Sequence, residues 1–466
     1  MNLQLIYDHS PIFFQNIMTS VKGYQLKRTR YGKYYYEHLQ LLKKLHTYTE
    51  NQLKEYQFEE LMKLLRYVKS NSKFYHELYK DIDIEKFSSV KDIKFLPIVT
   101  KEMLRKNTER VITIPKKGAV VDHTGGTTGK SLTVYNRVQD IQKRMAVLDF
   151  FKLKHGFENI KMKRATFMGK HIVPPMQKKK VFWRFNRPIN QMLYSSFHLT
   201  KENIPYYISS LNDFKPDAID GFVSSIYEIA SYIKRKSIEL KFQPKVVFPT
   251  SETVTKDYRD TIEEVFNCKV RDQYASSEGA PFVWECNYGN LHYDITTGVI
   301  ENIEDSNEIL VTSFLNYGTP LIRYKIGDSM IFDDSNKRCK CGFNTPLIKS
   351  IEGRKVDFLY STKGAKINLG NISNIFKNIP NTIIKAQLIQ DSLEHIIVKI
   401  MVDNNFLPKH KDLLIDEIKH KFGKDMKVDI KIVNDIPREK SGKYRIIINK
   451  VGQNPNFDES SERINL

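Results

Sequence analysis

Apolar residues in the first hundred positions recur every three or four residues, which is the spacing of one face of an α-helix. The clearest stripe of this kind consists of Phe58, Leu61, Leu65 and Val68. In the stretch KFLPIVTKEML, Thr100 lies after an apolar pair and a proline, where it can cap a helix that begins at Lys101. We therefore predict a mostly helical lead-in over residues 1–110.

From the glycine-rich stretch near residue 121 to about residue 350, short β-rich runs alternate with helical patterns. PKVVFPT and NEILVTSF have the composition of strands, whereas SSIYEIASYIKRK has helical spacing. This alternation predicts an α/β domain with several layers.

The pattern changes after about residue 353. EHIIVKIMV predicts a strand, KDLLIDEIKHKF predicts a helix with Leu414, Ile418 and Phe422 four residues apart, and KVDIKIV predicts a second strand. These elements indicate a compact α+β domain of about a hundred residues. Because 466 residues exceed what one core usually holds, we expect a large domain at residues 1–353 and a small, mobile one at residues 354–466.

The composition is that of an ordinary soluble protein, with 41% hydrophobic and 27% charged residues. No apolar run approaches the length that spans a bilayer, and the N-terminus lacks the basic segment of a secretory signal. We therefore expect a cytoplasmic protein with no integral membrane association.

The formal net charge of +20 raises the question of a polyanionic partner. The lysines are spread along the whole chain, so we expect a solvated basic surface and no nucleic-acid partner. One denser basic and aromatic stretch covers residues 174–187. It is open to two interpretations, an exposed loop or a dock for an acidic substrate, a phosphorylated acceptor or a lipid headgroup.

The stretch VDHTGGTTGKSLTVY contains a candidate phosphate-binding loop. It fails the Walker pattern by one residue, since the position five before Gly129 is Thr124 rather than glycine. Glycines still let backbone amides approach an anion, and threonine hydroxyls add donors. The candidate residues are Thr124, Gly125, Gly126, Thr127, Thr128, Gly129 and Lys130.

Four further stretches carry residues suited to nucleotide chemistry, although each is a weak signal alone. In DQYASSEGA, an aromatic ring that can stack on a base precedes hydroxyl groups and Glu278, whose carboxylate can hold Mg²⁺. Asp328 ends TPLIRYKIGD and can accept hydrogen bonds from two ribose hydroxyls. Arg354 lies where the large domain meets the small one, and Lys443 lies in a glycine-containing turn near the C-terminus.

Taken in order, these stretches resemble the adenylate-forming superfamily of acyl-CoA synthetases, luciferases and peptide-synthetase adenylation domains. The resemblance covers nearly the whole chain and is strongest for the phenylacetate-CoA ligase branch. The run GAKINLGNISNIF looks like the capsule and surface-polysaccharide biosynthesis members of this family. The resemblance implies ATP-dependent activation of a carboxylic acid as an acyl-adenylate, release of pyrophosphate, and transfer to CoA, an amine or a carrier protein.

The same resemblance implies roles for individual residues. Lys443 would bridge the carboxylate and the α-phosphate, Glu278 would hold Mg²⁺, and Thr128 belongs to the catalytic set. The nucleotide-binding candidates outside the glycine loop are Ser251, Glu252, Tyr274, Ser276, Ser277, Asp328 and Arg354. The acid-pocket candidates are Phe222, Ser224 and Ala275.

Two departures from the family pattern bear on the pivot and the pocket. Ala275 replaces a common glycine, so its methyl group would intrude on the acid pocket. Relatives pivot the small domain just after the Gly-Arg pair, at an aspartate that is Val356 here. We therefore expect Lys355 or Asp357 to serve as the pivot.

Three of the four cysteines fall in two short clusters, ECNYGNLH with Cys286 and His292, and CKCG with Cys339 and Cys341. Four such ligands can close a tetrahedral zinc site, with Gly342 easing the turn, but the spacing alone is equally compatible with buried free thiols. Relatives in the phenylacetate-CoA ligase branch resemble this chain in having cysteines and a histidine at these places. The resemblance therefore implies a structural Zn²⁺ with no open coordination position.

Other functions stay open at this stage. An adenylyltransferase would keep the nucleotide chemistry but leave AMP on a cofactor. A scaffold protein of a polysaccharide pathway would use the fold without turnover. Binding of CoA and formation of a homodimer are also left open.

Overall fold

The computed structural model describes residues 3–123, 132–169, 172–174, 177–304, 306–333, 335, 338–354, 358–362, 366–368, 372, 375, 379, 382–438 and 444–451. Several sequence predictions lie outside the described residues: the glycine loop at residues 124–131, the hinge positions Lys355, Val356 and Asp357, and Lys443. The side chain of Arg354 is also outside the description, although its backbone is included.

Helices and 3-10 turns make up the first part of the chain. Their bounds are α1 (Leu3–His9), α2 (Ile12–Arg30), α3 (Lys33–Leu45), α4 (Glu50–Asn71), α5 (Lys73–Leu78), the 3-10 turns Ile84–Lys86 and Val90–Phe95, α6 (Lys101–Lys106) and α7 (Thr108–Val111). In α4, the side chains of Leu61, Leu65 and Val68 are fully buried, as their spacing predicts. Thr100 caps α6 by accepting a hydrogen bond from the Met103 amide at 3.3 Å.

A short antiparallel pair, β1 (Val120–His123) and β2 (Thr133–Asn136), follows the helices. Because His123 pairs with Thr133, the glycine loop is the connection between these two strands. Helix α8 (Val138–Lys154) follows, and Asp140 in its first turn accepts hydrogen bonds from the Tyr317 and Gly318 amides at 3.2 and 3.1 Å.

A six-stranded sheet forms one layer of the large domain. Its strands are β3 (Arg164–Met168), β4 (Trp183–Asn186), β5 (Gln191–Ser195), β6 (Ala218–Phe222), β7 (Val246–Thr250) and β8 (Lys269–Val270), in the order β4-β5-β3-β6-β7-β8. Neighbouring strands are parallel except for β4, which is antiparallel to β5. The helices of this layer are α9 (Ile204–Phe214), α10 (Val223–Lys236) and α11 (Lys256–Phe266), and Arg187–Ile189 forms a 3-10 turn.

Helices cover both faces of this sheet. Ile219 and Val247 pack in one hydrophobic cluster with residues of α9, α10 and α11. The adjacent Ala218 and Phe248 pack in another cluster with residues of α3 and α8. This alternation of neighbouring residues between two apolar layers is what a mostly parallel central sheet requires.

A seven-stranded antiparallel sheet forms a second layer. Its strands are β9 (Gln273–Tyr274), β10 (Val283–Glu285), β11 (Leu291–Tyr293), β12 (Gly298–Asn302), β13 (Glu308–Ser313), β14 (Tyr324–Phe332) and β15 (Leu347–Arg354), in the order β12-β13-β14-β15-β11-β10-β9. A 3-10 turn at Ile295–Thr297 precedes β12. Gln57 of α4 donates to the Tyr293 hydroxyl and to the Gly298 carbonyl, which ties the helical lead-in to this sheet.

The C-terminal part has its own sheet and core. Its elements are β16 (Phe358–Tyr360), β17 (Lys366–Asn368), β18 (Ile383–Ser392), β19 (His395–Val402), α12 (Pro408–Phe422), β20 (Lys427–Ile432) and β21 (Ile447–Asn449), with the sheet order β20-β19-β18-β21. Leu414, Ile418 and Phe422 of α12 are fully buried in a hydrophobic cluster with strand residues. The predicted fold class, a large α/β part followed by a small α+β part, is confirmed, while the boundary at residue 353 stays a prediction.

The basic and aromatic stretch is not simply an exposed loop, and that interpretation is wrong for residues 183–186. They form β4, and Arg184 in this strand is fully buried. Its guanidinium donates to the side-chain oxygen of Gln15 and to the carbonyls of Val181 and Trp183.

Among the described residues, every helix is too short or too polar to cross a bilayer.

Candidate active site

The carboxyl ends of β6 and β7 lie side by side, since Phe222 pairs with Thr250. Ser251, directly after β7, has a φ of 67°, a left-handed conformation that is uncommon for a residue with a side chain. After this turn, the Glu252 carboxylate accepts hydrogen bonds from the Ser224 amide at 2.9 Å and from its hydroxyl at 3.0 Å. Burial raises the pKa of Glu252. Two predicted residues, Ser224 and Glu252, are therefore in direct contact.

A C-terminal residue reaches the same carboxylate. The Tyr444 amide donates to Glu252 at 3.1 Å, and the Arg438 guanidinium donates to the Ser224 hydroxyl at 3.3 Å. Lys443 precedes Tyr444 in the chain. The residue next to the predicted catalytic lysine thus lies at the carboxyl edge of the parallel sheet.

Glu228 of α10 anchors the C-terminal part a turn further along the helix. It lies 3.3 Å from the Arg438 guanidinium and 3.0 Å from the Lys385 ammonium. The contact with Lys385 is an ion pair without the alignment of a hydrogen bond. All three side chains are at least nine-tenths buried, with 5% of Glu228, 8% of Arg438 and 9% of Lys385 exposed. No short motif marks Glu228, because its partners are remote in sequence.

The structure brings together the residues predicted to bind adenosine. The Tyr274 hydroxyl donates to the Asp328 carboxylate at 2.7 Å. Asp328 in β14 is also the strand partner of Arg354 in β15. The three residues therefore meet on one sheet although 80 positions separate the first from the last.

The loop from Ser276 to Glu278 is held by groups that sequence motifs did not reveal. The Arg144 guanidinium of α8 donates to the Ser276 carbonyl at 2.9 Å and to the Ser277 carbonyl at 3.3 Å. Asn316 donates to the Glu278 carbonyl at 2.9 Å. Glu278 itself is buried, with 7% of its surface exposed. Arg144 was missed because the contact spans 132 positions.

A cavity of about 270 Å³ opens beside the adenosine residues. Thr250, Gln273 and Ala275 line one part of it, and α2 and α8 contribute to its other walls. The predicted pocket residue Ala275 is thus at the cavity. Phe222 and Ser224 are not among its lining residues and lie instead at the end of β6 and the start of α10.

The four predicted metal ligands converge. Cys286 directly follows β10, His292 lies in β11, and Cys339 and Cys341 lie between β14 and β15. One potential ligand atom from each residue falls within 4.8 Å of the others. Cys286 Sγ is 3.6 Å from Cys339 Sγ, and Cys341 Sγ is 3.3 Å from His292 Nε2.

These separations fit a tetrahedral zinc ion. Bonds of about 2.3 Å to sulfur place two sulfur ligands about 3.8 Å apart. The other ring nitrogen of His292, Nδ1, is 3.1 Å from the Thr345 hydroxyl, an outer contact that orients a metal-binding imidazole. The Cys341–Cys286 contact lowers the pKa of Cys286 and raises the pKa of Cys341, because the thiol of one donates to the thiolate of the other. Gly342 has a φ of 82° at the turn where a small residue is expected.

Comparisons with known proteins place these features in context. Residues 359–450 match the family model described as the CapK C-terminal domain. The chain is 40% identical over 461 residues to "Protein CapK" of Staphylococcus aureus, covering 96% of this chain and 100% of that protein. It is 20% identical over 257 residues to indoleacetate–lysine synthetase of Pseudomonas savastanoi, covering 54% of this chain and 64% of that protein.

The solved structures with similar folds are adenylate-forming ligases. A 2-hydroxyisobutyryl-CoA ligase in the postadenylation state superposes with a TM-score of 0.70 and 15% identity, covering 90% of this chain and 93% of that chain. The same enzyme with CoA in the thioesterification state gives a TM-score of 0.56 and 16% identity, covering 87% of this chain and 91% of that chain. The predicted resemblance to the adenylate-forming superfamily, and to its capsule-type members, is confirmed.

Proposed function

The chain belongs to the CapK family, and from that premise we propose that it activates a carboxylic acid with ATP as an acyl-adenylate, releases pyrophosphate, and transfers the acyl group to an acceptor. The shared fold of adenylate-forming ligases supports the first half of this reaction.

The hydrogen bond from the Tyr444 amide to Glu252 is the observation that carries the proposal. It joins the C-terminal part to the edge at which ligands of open α/β sheets bind. The Gln273 side chain donates to the Pro249 carbonyl at 3.3 Å and so holds the strand of Tyr274 against β7. The position of Tyr444, which follows Lys443 in the chain, supports a role for that lysine between an acid in the cavity and a nucleotide at Tyr274.

The difficulty of this reaction is that two anions, a carboxylate and a triphosphate, must meet. Lys443 would offset both charges, and the glycine loop would hold the β- and γ-phosphates. Glu278 would hold Mg²⁺, which neutralises phosphate charge when bound. Tyr274 and Asp328 would bind adenosine, with Arg354 near the ribose or the phosphate.

We also propose that Cys286, His292, Cys339 and Cys341 hold a structural Zn²⁺. The sulfur and nitrogen separations support this assignment. Four protein ligands leave no open position, so the ion would fix the β10–β11 connection to the loop before β15 rather than take part in the reaction.

Lys443→Ala provides the sharpest test of the reaction. With an acid identified from a panel, carboxylate-dependent exchange of pyrophosphate into ATP should be abolished while ATP binding changes little. Lys424→Ala is the matched control, because Lys424 is an exposed lysine of the same domain. Full exchange activity in Lys443→Ala would remove this lysine from the mechanism.

Two observations favour different acceptors. The similar ligase binds CoA, and the more distant curated relative is named for joining an acid to lysine. Product analysis with CoA, with free amines and with neither distinguishes a thioester from an amide. AMP retained on the product would instead identify an adenylyltransferase, and no turnover with any acid and ATP would favour a scaffold.

A further inference from the structure

The cavity beside Ala275 is lined by apolar and by charged side chains. Leu26, Met145, Leu148 and Phe248 contribute apolar wall. The charged residues that line it are four cations and one carboxylate: Lys27, Arg30, Lys152, Arg164 and Asp220. Buried charges are normally matched by opposite ones. Asp149 and Asp122, which do not line the cavity, also act on Lys152 and Arg30, so four cations face three carboxylates and one positive charge is left for a further anion.

Asp220 is already shared between two of the cations. Its carboxylate lies 3.0 Å from the Lys152 ammonium and 3.2 Å from the Arg164 guanidinium. Both cations are buried, with 2% of Lys152 and 8% of Arg164 exposed. Burial lowers the pKa of Lys152, and Arg164 lowers it further. Asp220 therefore faces two buried positive charges, on both of which the carboxylate of Asp149 acts as well.

Arg30 adds a third positive charge at the end of α2. It is partly buried, and it makes no ion pair or side-chain hydrogen bond with any other residue in the described part of the chain. Burial lowers its pKa, and the nearby charge of Arg164 acts in the same direction. Tyr31, Asp122 and Asp149 act in the opposite direction without offsetting burial, so the net shift of the Arg30 pKa is downward.

Two buried polar atoms on the cavity residues have no hydrogen-bond partner among the described residues. They are Nε of Arg164, a donor, and Oε1 of Gln273, an acceptor. An orphaned donor on a side chain that is nine-tenths buried is costly unless a ligand completes it. A bound anion could therefore accept a hydrogen bond from the unpartnered Nε–H of Arg164.

The strand register gives the depth of the charged groups around Asp220. Phe222 pairs with Thr250 at the carboxyl edge, and Asp220 pairs with Phe248 two residues further in. Two strand residues correspond to about 7 Å. The Arg164 and Lys152 head groups, which meet at Asp220, therefore lie about 7 Å below the edge where the acid would react.

We propose that the acid accepted by this protein carries a second anionic group, such as a second carboxylate, about 7 Å from the carboxylate that is activated, and that Arg30, Arg164 and Lys152 bind it. This inference rests on the proposed function, because it assigns the substrate class of the same site. The apolar walls would contact the chain between the two acidic groups, and Gln273 would accept a hydrogen bond near the reacting end.

Matched pairs of acids test the substrate class. Succinate, glutarate, adipate and pimelate are each compared with the monocarboxylate of equal chain length, with pyrophosphate release as the readout. We expect at least one dicarboxylate to exceed its monocarboxylate partner by about tenfold or more in kcat/KM. Phenylacetate and hexanoate as the best substrates would overturn the proposal while leaving acid activation intact.

Arg30→Gln tests the assigned residues without emptying the core, and Arg28→Gln is its control, since Arg28 is an exposed arginine of the same helix. Arg30→Gln should raise KM for the best dicarboxylate about tenfold and leave KM for its monocarboxylate partner unchanged. Arg28→Gln should change neither. An equal rise for both acids in Arg30→Gln would contradict recognition of a second anionic group.

A binding measurement separates this inference from the proposed reaction. Without ATP, the best-binding dicarboxylate of the panel should raise the thermal unfolding midpoint of the wild type and of Arg28→Gln, but not of Arg30→Gln. If no acid releases pyrophosphate yet this pattern of binding holds, the reaction is wrong and the anion site stands. If no dicarboxylate binds or reacts, the anion site is wrong.

Discussion

Glu228→Gln should release the C-terminal part from the large domain. The substitution keeps the volume of the side chain but removes the negative charge shared by Lys385 at 3.0 Å and Arg438 at 3.3 Å. Removing one partner of a buried ion pair costs about 3–5 kcal/mol when the other charge stays buried. Here both cations belong to the C-terminal part, so undocking lets water solvate them again.

The expected effect is a shift of the docking equilibrium rather than loss of the fold. A penalty of about 3 kcal/mol on the docked state corresponds to roughly a hundredfold change in that equilibrium. If the proposed adenylation uses the docked C-terminal part, exchange of pyrophosphate should therefore fall by up to about a hundredfold. Formation of the final product from added acyl-adenylate should fall much less.

Small-angle X-ray scattering supplies a readout that needs no substrate. We expect a larger radius of gyration for Glu228→Gln than for the wild type, and no change for Glu239→Gln, an exposed glutamate beyond the end of α10. Replacing Lys385 and Arg438 with glutamine in the same chain should restore part of the compact form, since no buried cation is then left unpaired. A compact Glu228→Gln protein with full exchange activity would refute the idea that this cluster holds the two parts together.

Three further changes test other parts of the molecule. Cys339→Ser should reduce bound zinc from about one equivalent to a small fraction and should lower the free energy of unfolding by at least about 3 kcal/mol. Elemental analysis of protein purified without added metal measures the zinc content. A metal-free wild type of full stability would contradict the zinc assignment. Burial, with a smaller effect of Lys143, lowers the pKa of His38 from 6.5 to about 3, so protons bind the unfolded state more strongly between these values. The stabilising effect of neutral His38 is complete above about pH 6.5, and on acidification to pH 5 the free energy of unfolding falls by up to about 2 kcal/mol. His38→Leu should remove this part of the pH dependence of the free energy of unfolding, measured by urea denaturation at several pH values. An unchanged pH dependence would contradict the role of His38. Ala275→Gly should widen the cavity and improve kcat/KM for a bulkier acid by about tenfold relative to a slim one, whereas an equal change for both would place Ala275 outside the pocket.

Local patterns in the sequence were sufficient for much of the fold. The spacing of Leu61, Leu65 and Val68 predicted the buried face of α4, and the capping role of Thr100 predicted the start of α6. The ordered motifs predicted that Tyr274 and Asp328 would share a site, which their 2.7 Å contact supports. Such features depend on neighbours along the chain or on a motif order that the sequence displays.

The charge clusters depend instead on contacts between remote residues. Lys152 meets Asp220 across 68 positions, and Arg438 meets Glu228 across 210. A lysine within FFKLK shows no sign in its own neighbourhood that it will be buried against a carboxylate. Packing of remote elements decides these pairings, since Lys152 lies in α8 and Asp220 in β6, whereas Glu228 lies in α10 and Arg438 follows β20.

Under the proposed function, the short strand at Gln273–Tyr274 would let the acid and the nucleotide be recognised separately at one place. Successive side chains of an extended segment point to opposite sides. Gln273 and Ala275 line the cavity proposed for the acid, while Tyr274 between them contacts Asp328. Changes to the cavity residues can therefore alter which acid is accepted without removing the aromatic ring or the carboxylate assigned to adenosine.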